Sequence, residues 1–229
     1  LAESFPISYD ETPVSQYYPG AEKTSEYRES IFVGYRCYQT ANIPVRFPFG
    51  FGMSYTSFAY KNLTVTEQGA EFDLTNTGKC AGAEVSQLYI SLPGAKVFRP
   101  KYELKGFAKT YLEPGETRHV TIALDDKAFR YFNTKTNRWE IEGGEYHLHI
   151  AASVEDIRLT APLTVKGTNA PNPYAGLNVA CYEACSLSNV TDEQFAAVLG
   201  HPVPQHLWDI HQPLTMNDGV MQLYYAKNP

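Results

Sequence analysis

The sequence predicts a mainly β protein built on an antiparallel β-sandwich. Three observations lead there. From about residue 57 to 166, apolar and polar residues alternate in short runs, the period of two that marks strands with one buried face. The runs are bounded by turn signals, such as Asn76-Thr77-Gly78. Aromatic residues make up 14% of the chain, led by 17 tyrosines, and such rings suit a pleated, half-buried surface.

Residues 1–52 come first and read as an extended strap. They are dense in Pro, Gly, Tyr and Phe, lack sustained periodicity, and need another surface to pack on. The opening Leu1-Ala2-Glu3-Ser4-Phe5-Pro6 has neither a methionine nor a capping signal, as though cut from a longer chain. Residues 53–167 form the sandwich. Phe58, Tyr60, Leu63 and Val65 belong to a first strand, Phe72 and Leu74 to a second, and Val85, Leu88 and Ile90 to a third. Later strands run from Val120 to Leu124, Trp139 to Ile141, Tyr146 to Ile150 and Ile157 to Val165, giving roughly seven. Glu113-Pro114-Gly115-Glu116 and Glu142-Gly143-Gly144-Glu145 are turns, with Pro presetting φ and Gly accepting a positive φ. Residues 168–229 form a linker and an irregular, partly helical tail. There Thr191-Asp192-Glu193-Gln194 fits a capping box, Phe195, Val198 and Leu199 share one face, and Gly200 with Pro202 closes the helix.

Charge and composition narrow the partners. Nineteen basic residues against 25 acidic ones give a net charge of -6, and the cations are scattered, which argues against nucleic acid. No apolar run of about 18 residues suggests a membrane span. Cys37, Cys80, Cys181 and Cys185 lack the spacing of a zinc ribbon, so free thiols are expected, while a Cys181–Cys185 disulfide stays open. Free thiols favour a bacterial cytoplasm, with secretion left open. Asn62-Leu63-Thr64 and Asn189-Val190-Thr191 match the glycosylation pattern, which matters only in a secreted eukaryotic protein.

Several groups could carry chemistry. His201, His206 and His211 stand near Asp209 and Asp218, but prolines break the segment and no helical ligand pair appears, so packing or solvent exposure is the expected role. His147 and His149 share one strand face and read as ordinary sheet residues. The carboxylate pairs Asp125-Asp126 and Glu142/Glu145 sit beside turns where charges are normally solvated, which argues against a glycosidase acid/base pair. No residue is assigned a catalytic, cofactor-binding or metal-binding role, and no cofactor is expected. The strap rings remain. Phe32, Tyr35, Phe47, Phe49, Phe51 and Tyr55, with Arg36, are read as an interdomain packing surface or the rim of a pocket.

The chain resembles a known family. Tyr27-Arg28-Glu29-Ser30-Ile31-Phe32-Val33-Gly34-Tyr35-Arg36 and Phe47-Pro48-Phe49-Gly50-Phe51-Gly52-Met53-Ser54-Tyr55-Thr56 are similar to the link between the second domain and the fibronectin type III-like domain of family 3 β-glucosidases. Glu84 to Tyr89, Arg99-Pro100, Glu103 to Phe107 and Leu112 to Glu116 continue the likeness in order, and Leu1 to Pro6 is similar to the close of the preceding α/β sandwich. The resemblance implies a fibronectin type III-like (immunoglobulin-like) sandwich serving as an accessory part of a retaining enzyme that releases terminal β-linked sugars, glucose first, from oligosaccharides. It also implies an Asp nucleophile on a (β/α)8 barrel and a Glu acid/base on the α/β sandwich, both expected before Leu1 and both partners of this chain. Cys37 and Gln39 depart from the family's usual Tyr and Asp. Two other readings stand beside it: a stand-alone carbohydrate-binding or adhesion module, and metal-dependent catalysis through the tail.

Overall fold

A computed structural model describes residues 1–18, 25–204, 209–216 and 218–226. In chain order the strap holds β1 (Phe5–Pro6), α1 (Tyr35–Ala41) and β2 (Val45–Phe47). The middle holds β3 (Phe58–Thr66), β4 (Gly69–Asn76), β5 (Gly82–Ser91), β6 (Glu103–Leu112), β7 (Thr117–Ala123), β8 (Arg130–Asn133), β9 (Arg138–Ile141), β10 (Gly144–Ser153) and β11 (Asp156–Val165). The tail holds α2 (Ala180–Glu183), α3 (Asp192–Leu199) and α4 (Val220–Tyr225). No helix among the described residues is long and apolar enough to cross a membrane.

Seven of the strands form two facing antiparallel sheets, ordered β3-β4-β7 and β11-β10-β5-β6. This is the fibronectin type III-like arrangement implied by the resemblance. Alternation explains the register: Leu148 faces Ile90 and Ile150 faces Leu88 across β10 and β5, so both strands turn the same face inward. That face meets Phe72 and Leu74 of β4 and Val120 and Ile122 of β7 in one core. Burying each such side chain contributes roughly 1.5–3 kcal/mol.

The strand count holds while its membership changes. Trp139 to Ile141 belongs to β9, which pairs only with β8 in a separate hairpin. The seventh sandwich strand is β6, whose inward residues Ala108, Thr110 and Leu112 are small, polar or terminal, while the aromatic Phe107 and Tyr111 point outward. Its alternation is therefore inverted with respect to hydrophobicity. The two glycine-bearing turns also differ. Gly115 takes φ 78°, as expected, but Gly143 does not need a positive φ; a Cβ there would stand 2.6 Å from the backbone nitrogen of Gly167, so close chain approach requires the glycine.

Asn76 closes the end of the sandwich. It is fully buried, its Nδ2 donates to the carbonyls of Cys80 and Leu112, and its Oδ1 accepts from the Thr56 hydroxyl and the Gly78 amide. The turn signal at Asn76-Thr77-Gly78 thus also satisfies backbone groups that a Leu or Ala would leave unpaired.

The strap is less extended than its composition suggests, because α1 interrupts it, and it packs with the tail. Phe32 of the strap, Phe98 of the β5–β6 connection, and Tyr182, Leu187, Val190 and Phe195 of the tail form a second core. Phe98 stacks on Tyr174 at 4.5 Å and on Tyr182 at 5.4 Å. Polar ties reinforce it: Arg28 Nη1 donates to the Val190 carbonyl at 2.7 Å, and the Tyr17 hydroxyl donates to the Leu187 carbonyl and accepts from the Val190 amide. The capping box at Thr191 and the left-handed Gly200 end α3 as the sequence predicts.

Candidate interdomain surface

The strap rings divide into two groups according to what they touch. Phe32 is buried in the strap–tail core and stacks on Phe98 at 6.0 Å. Tyr35 and Phe49 lie on the outer face of the four-stranded sheet, 4.7 Å apart, with Tyr35 edge-on to Tyr89 at 6.1 Å. These three are used within the chain. Phe47 and Phe51 contact each other at 5.2 Å beside Phe5 but keep exposed faces, Met53 is 92% exposed and Tyr55 is 99% exposed. Arg36, half-buried in α1, accepts the Thr40 hydroxyl hydrogen bond at its carbonyl and lines a shallow recess with Ala2, Tyr35 and Phe49.

The strap is fixed to the sheet by specific hydrogen bonds. The Tyr35 hydroxyl accepts from the Leu104 amide at 2.9 Å, the Val154 amide donates to the Phe49 carbonyl at 3.0 Å, and the Lys101 amide donates to the Thr40 hydroxyl at 2.9 Å. Buried Gln87 completes the seat, donating to the Ala152 carbonyl at 2.8 Å and accepting from the Tyr89 hydroxyl. Beyond the end of this seat, the same sheet face continues uncovered. Phe107, opposite Gln87, is 68% exposed, Tyr111 is 54% exposed and Val85 is 39% exposed.

Between strap and sheet lies an open groove of about 720 Å³, lined on its apolar side by Phe49, Phe51, Met53, Val85, Leu104 and Phe107. Its polar side carries Glu84, Asp156 and Arg158. Burial pushes the Glu84 carboxyl up, partly offset by the hydrogen bond it accepts from Tyr60 at 2.7 Å, and Arg158 pairs with Asp156 at 2.7 Å. The groove thus combines an apolar floor with a paired, hydrogen-bonded rim.

Several of the carboxylates and histidines read from the sequence are held in contacts within the chain. Glu142 is not solvated: its side chain is 13% exposed, holds Arg99 at 2.9 Å and accepts from the amides of Lys96 and Val97, fastening the β5–β6 connection. Asp126 pairs with Arg130, Asp125 accepts from the Lys127 amide, and Glu145 lies exposed 3.7 Å from His147. His149 is buried between the hydroxyls of Ser91 and Thr160, each at 2.9 Å; burial, and then the neighbouring His147, lower it to about 4, so it is neutral. His206 lies outside the described residues, and among those described no group of three or more His, Cys, Asp or Glu side chains could hold a metal. All four cysteines are free thiols, so Cys181 and Cys185 are not bridged.

Sequence reasoning missed Val85, Phe107 and Tyr111 as surface residues. The signal was present in the outward placement of aromatics along residues 103–112, legible only once the inward side of that strand is known.

Comparison with known proteins agrees with this architecture. Residues 84–154 match the fibronectin type III-like domain. The chain is 39% identical over 220 residues, 93% of its length, to thermostable β-glucosidase B of Acetivibrio thermocellus, and 39% identical over 178 residues to an exo-α-(1→6)-L-arabinopyranosidase of Bifidobacterium breve. It spans about a quarter of these relatives, 28% and 24% of their lengths. Among solved structures, the family 3 β-glucosidase of Bifidobacterium adolescentis superposes with a TM-score of 0.71 at 38% identity, over 76% of this chain and 26% of that one. A β-glucosidase of Streptomyces venezuelae, solved with D-glucose, superposes with a TM-score of 0.67 at 34% identity, over 72% and 22%.

Proposed function

We propose that this chain, which corresponds to a portion of the glycoside hydrolase family 3 β-glucosidases, braces the catalytic domains of an enzyme releasing terminal β-linked sugars, glucose first, from oligosaccharides. The carrying observation is the groove: an apolar surface from Phe51 and Met53 to Phe107 stays open while Phe32, Tyr35 and Phe49 of the strap are packed within the chain. A patch of that kind marks a partner surface. Its partners in this reading are a (β/α)8 barrel supplying the nucleophile and an α/β sandwich supplying the acid/base, as the resemblance implies, while Glu142, Asp125 and Asp126 of this chain are held in structural contacts.

The test has two arms. The purified chain is assayed against an aryl β-glucoside and titrated calorimetrically with cellobiose, and both should be silent. It is then mixed with a polypeptide carrying the barrel and α/β sandwich of a family 3 β-glucosidase, where association should be measurable and Phe107→Asp should weaken it at least tenfold without unfolding the chain. Hydrolysis by the chain alone would overturn the bracing role, cellobiose binding by the chain alone would favour a carbohydrate-binding module, and association indifferent to Phe107→Asp would remove the groove from the interface.

A further inference from the structure

The strap–tail core contains three of the four cysteines, and two of them meet across it. Cys37 lies in α1 and Cys185 just beyond α2, 148 residues away, yet the Cys185 thiol reaches the Cys37 residue, its Sγ 4.0 Å from the Cys37 carbonyl oxygen. Both are buried, at 2% and 4% exposure. Cys185 also adopts φ 50°, the left-handed region that a non-glycine residue occupies only when its surroundings hold it there. Here the Cys185 amide donates to the Tyr182 carbonyl, and the next amide, from Ser186, donates to the Cys181 carbonyl at 2.8 Å.

The pair is chemically asymmetric. The hydrogen bond from Cys185 draws the Cys37 thiol below its ordinary range, while the same bond holds Cys185 protonated. Cys181 is pushed up by burial, and exposed Cys80 lies outside this core. Two thiols brought together in one buried core, one of them the easier to ionise, are the starting point for thiol–disulfide exchange.

We propose that Cys37 and Cys185 form a redox-modifiable dithiol site whose co-reactant is a disulfide, RSSR, of a small molecule or a protein. The Cys37 thiolate attacks one sulfur of RSSR, breaks its S–S bond and expels RS⁻, leaving a mixed disulfide. Cys185 then gives up its proton and attacks the Cys37 sulfur, forming the Cys37–Cys185 bond and expelling the second RS⁻. Two thiols lose two protons and two electrons, and RSSR takes up both and becomes two RSH. Because both sulfurs are buried, exchange follows local opening of the strap–tail core, and the product locks the strap to the tail.

The test uses the full chain carrying Cys80→Ser, equilibrated with oxidised and reduced glutathione, quenched by alkylation and mapped by peptide mass. The expected result is a chain lighter by two hydrogens, a cross-linked peptide pairing Cys37 with Cys185, reversal by a reductant, and a melting temperature raised by several degrees. Cys37→Ser or Cys185→Ser should abolish the link, and Cys181→Ser should spare it. A Cys181–Cys185 link, glutathione adducts alone, or full alkylation of both thiols would each overturn the proposal; these readouts come from the unmutated pair and do not depend on any variant folding.

Discussion

The sandwich core and the strap–tail core are both buried and apolar but are assembled differently. In the sandwich, every contributing strand is joined to a neighbour by a backbone ladder, so Phe72, Leu88 and Leu148 sit where the register puts them. The strap–tail core has no ladder across it. It brings together Phe32, Phe98, Tyr182 and Phe195 from segments far apart in sequence, and anchors them with a few side-chain hydrogen bonds from Arg28 and Tyr17. Cooperative backbone pairing ties the loss of one side chain to unfolding of the whole sheet, whereas a core of stacked rings without a ladder can open locally.

The largest expected effect lies in the sandwich. Phe72→Ala should cost about 3–5 kcal/mol and lower the whole unfolding transition, read as a shifted urea midpoint with an unchanged slope. Phe98→Ala should cost about 3 kcal/mol and break the comparison differently. Amide hydrogen exchange should accelerate in α2 and α3 while β5 and β10 stay protected; a uniform loss of protection would show that the two cores unfold as one.

The two regions should also respond oppositely to pH. His149 in the sandwich is neutral when folded, lowered to about 4 from an ordinary 6.5. Between those values the unfolded chain binds the extra proton, so this contribution is complete above about 6.5 and is lost as pH falls toward 4. Glu29 in the strap is 3% exposed with Oε2 unpartnered, and burial pushes its carboxyl up from 4.5. There the folded state keeps the proton, so the contribution is present below 4.5 and is lost as pH rises through the raised value. Urea midpoints measured across pH should therefore lose their acid-side slope in His149→Gln and their fall on the rising-pH side in Glu29→Gln. The smallest effect expected is from Thr191→Ala, which removes the cap of α3 and should cost about 1 kcal/mol, seen as a small drop in melting temperature.

What the sequence conveyed follows the same division. Strands such as β4, β7 and β11 were legible because alternating burial writes a period of two into the residues themselves. β6 was not legible as a strand, since its rings face outward toward a surface not supplied by the sandwich. Trp139 to Ile141 was legible as a strand but not as a hairpin partner of β8, because alternation says nothing about which strand lies alongside. α1 escaped notice for a physical reason: Tyr35–Ala41 begins after Gly34 without a side-chain cap, and it gains its stability from burying Cys37 and Tyr38 rather than from propensity. α3 was legible because its cap is local. The strap rings read as one set in the sequence, and only the structure separates Phe32, Tyr35 and Phe49, used within the chain, from the exposed Phe47 and Tyr55.

The position of β6 at the end of its sheet has a further consequence. Its outer backbone edge is free of a ladder partner, and an edge bearing exposed aromatics is a template on which other chains can stack into aggregates. Lys105 and Lys109 alternate with Phe107 and Tyr111 along that strand, and a bulge between Leu88 and Tyr89 disturbs the pairing behind it. A growing stack would have to bring these lysines together and desolvate them. The same strand that leaves its rings uncovered therefore carries its own guard against self-assembly.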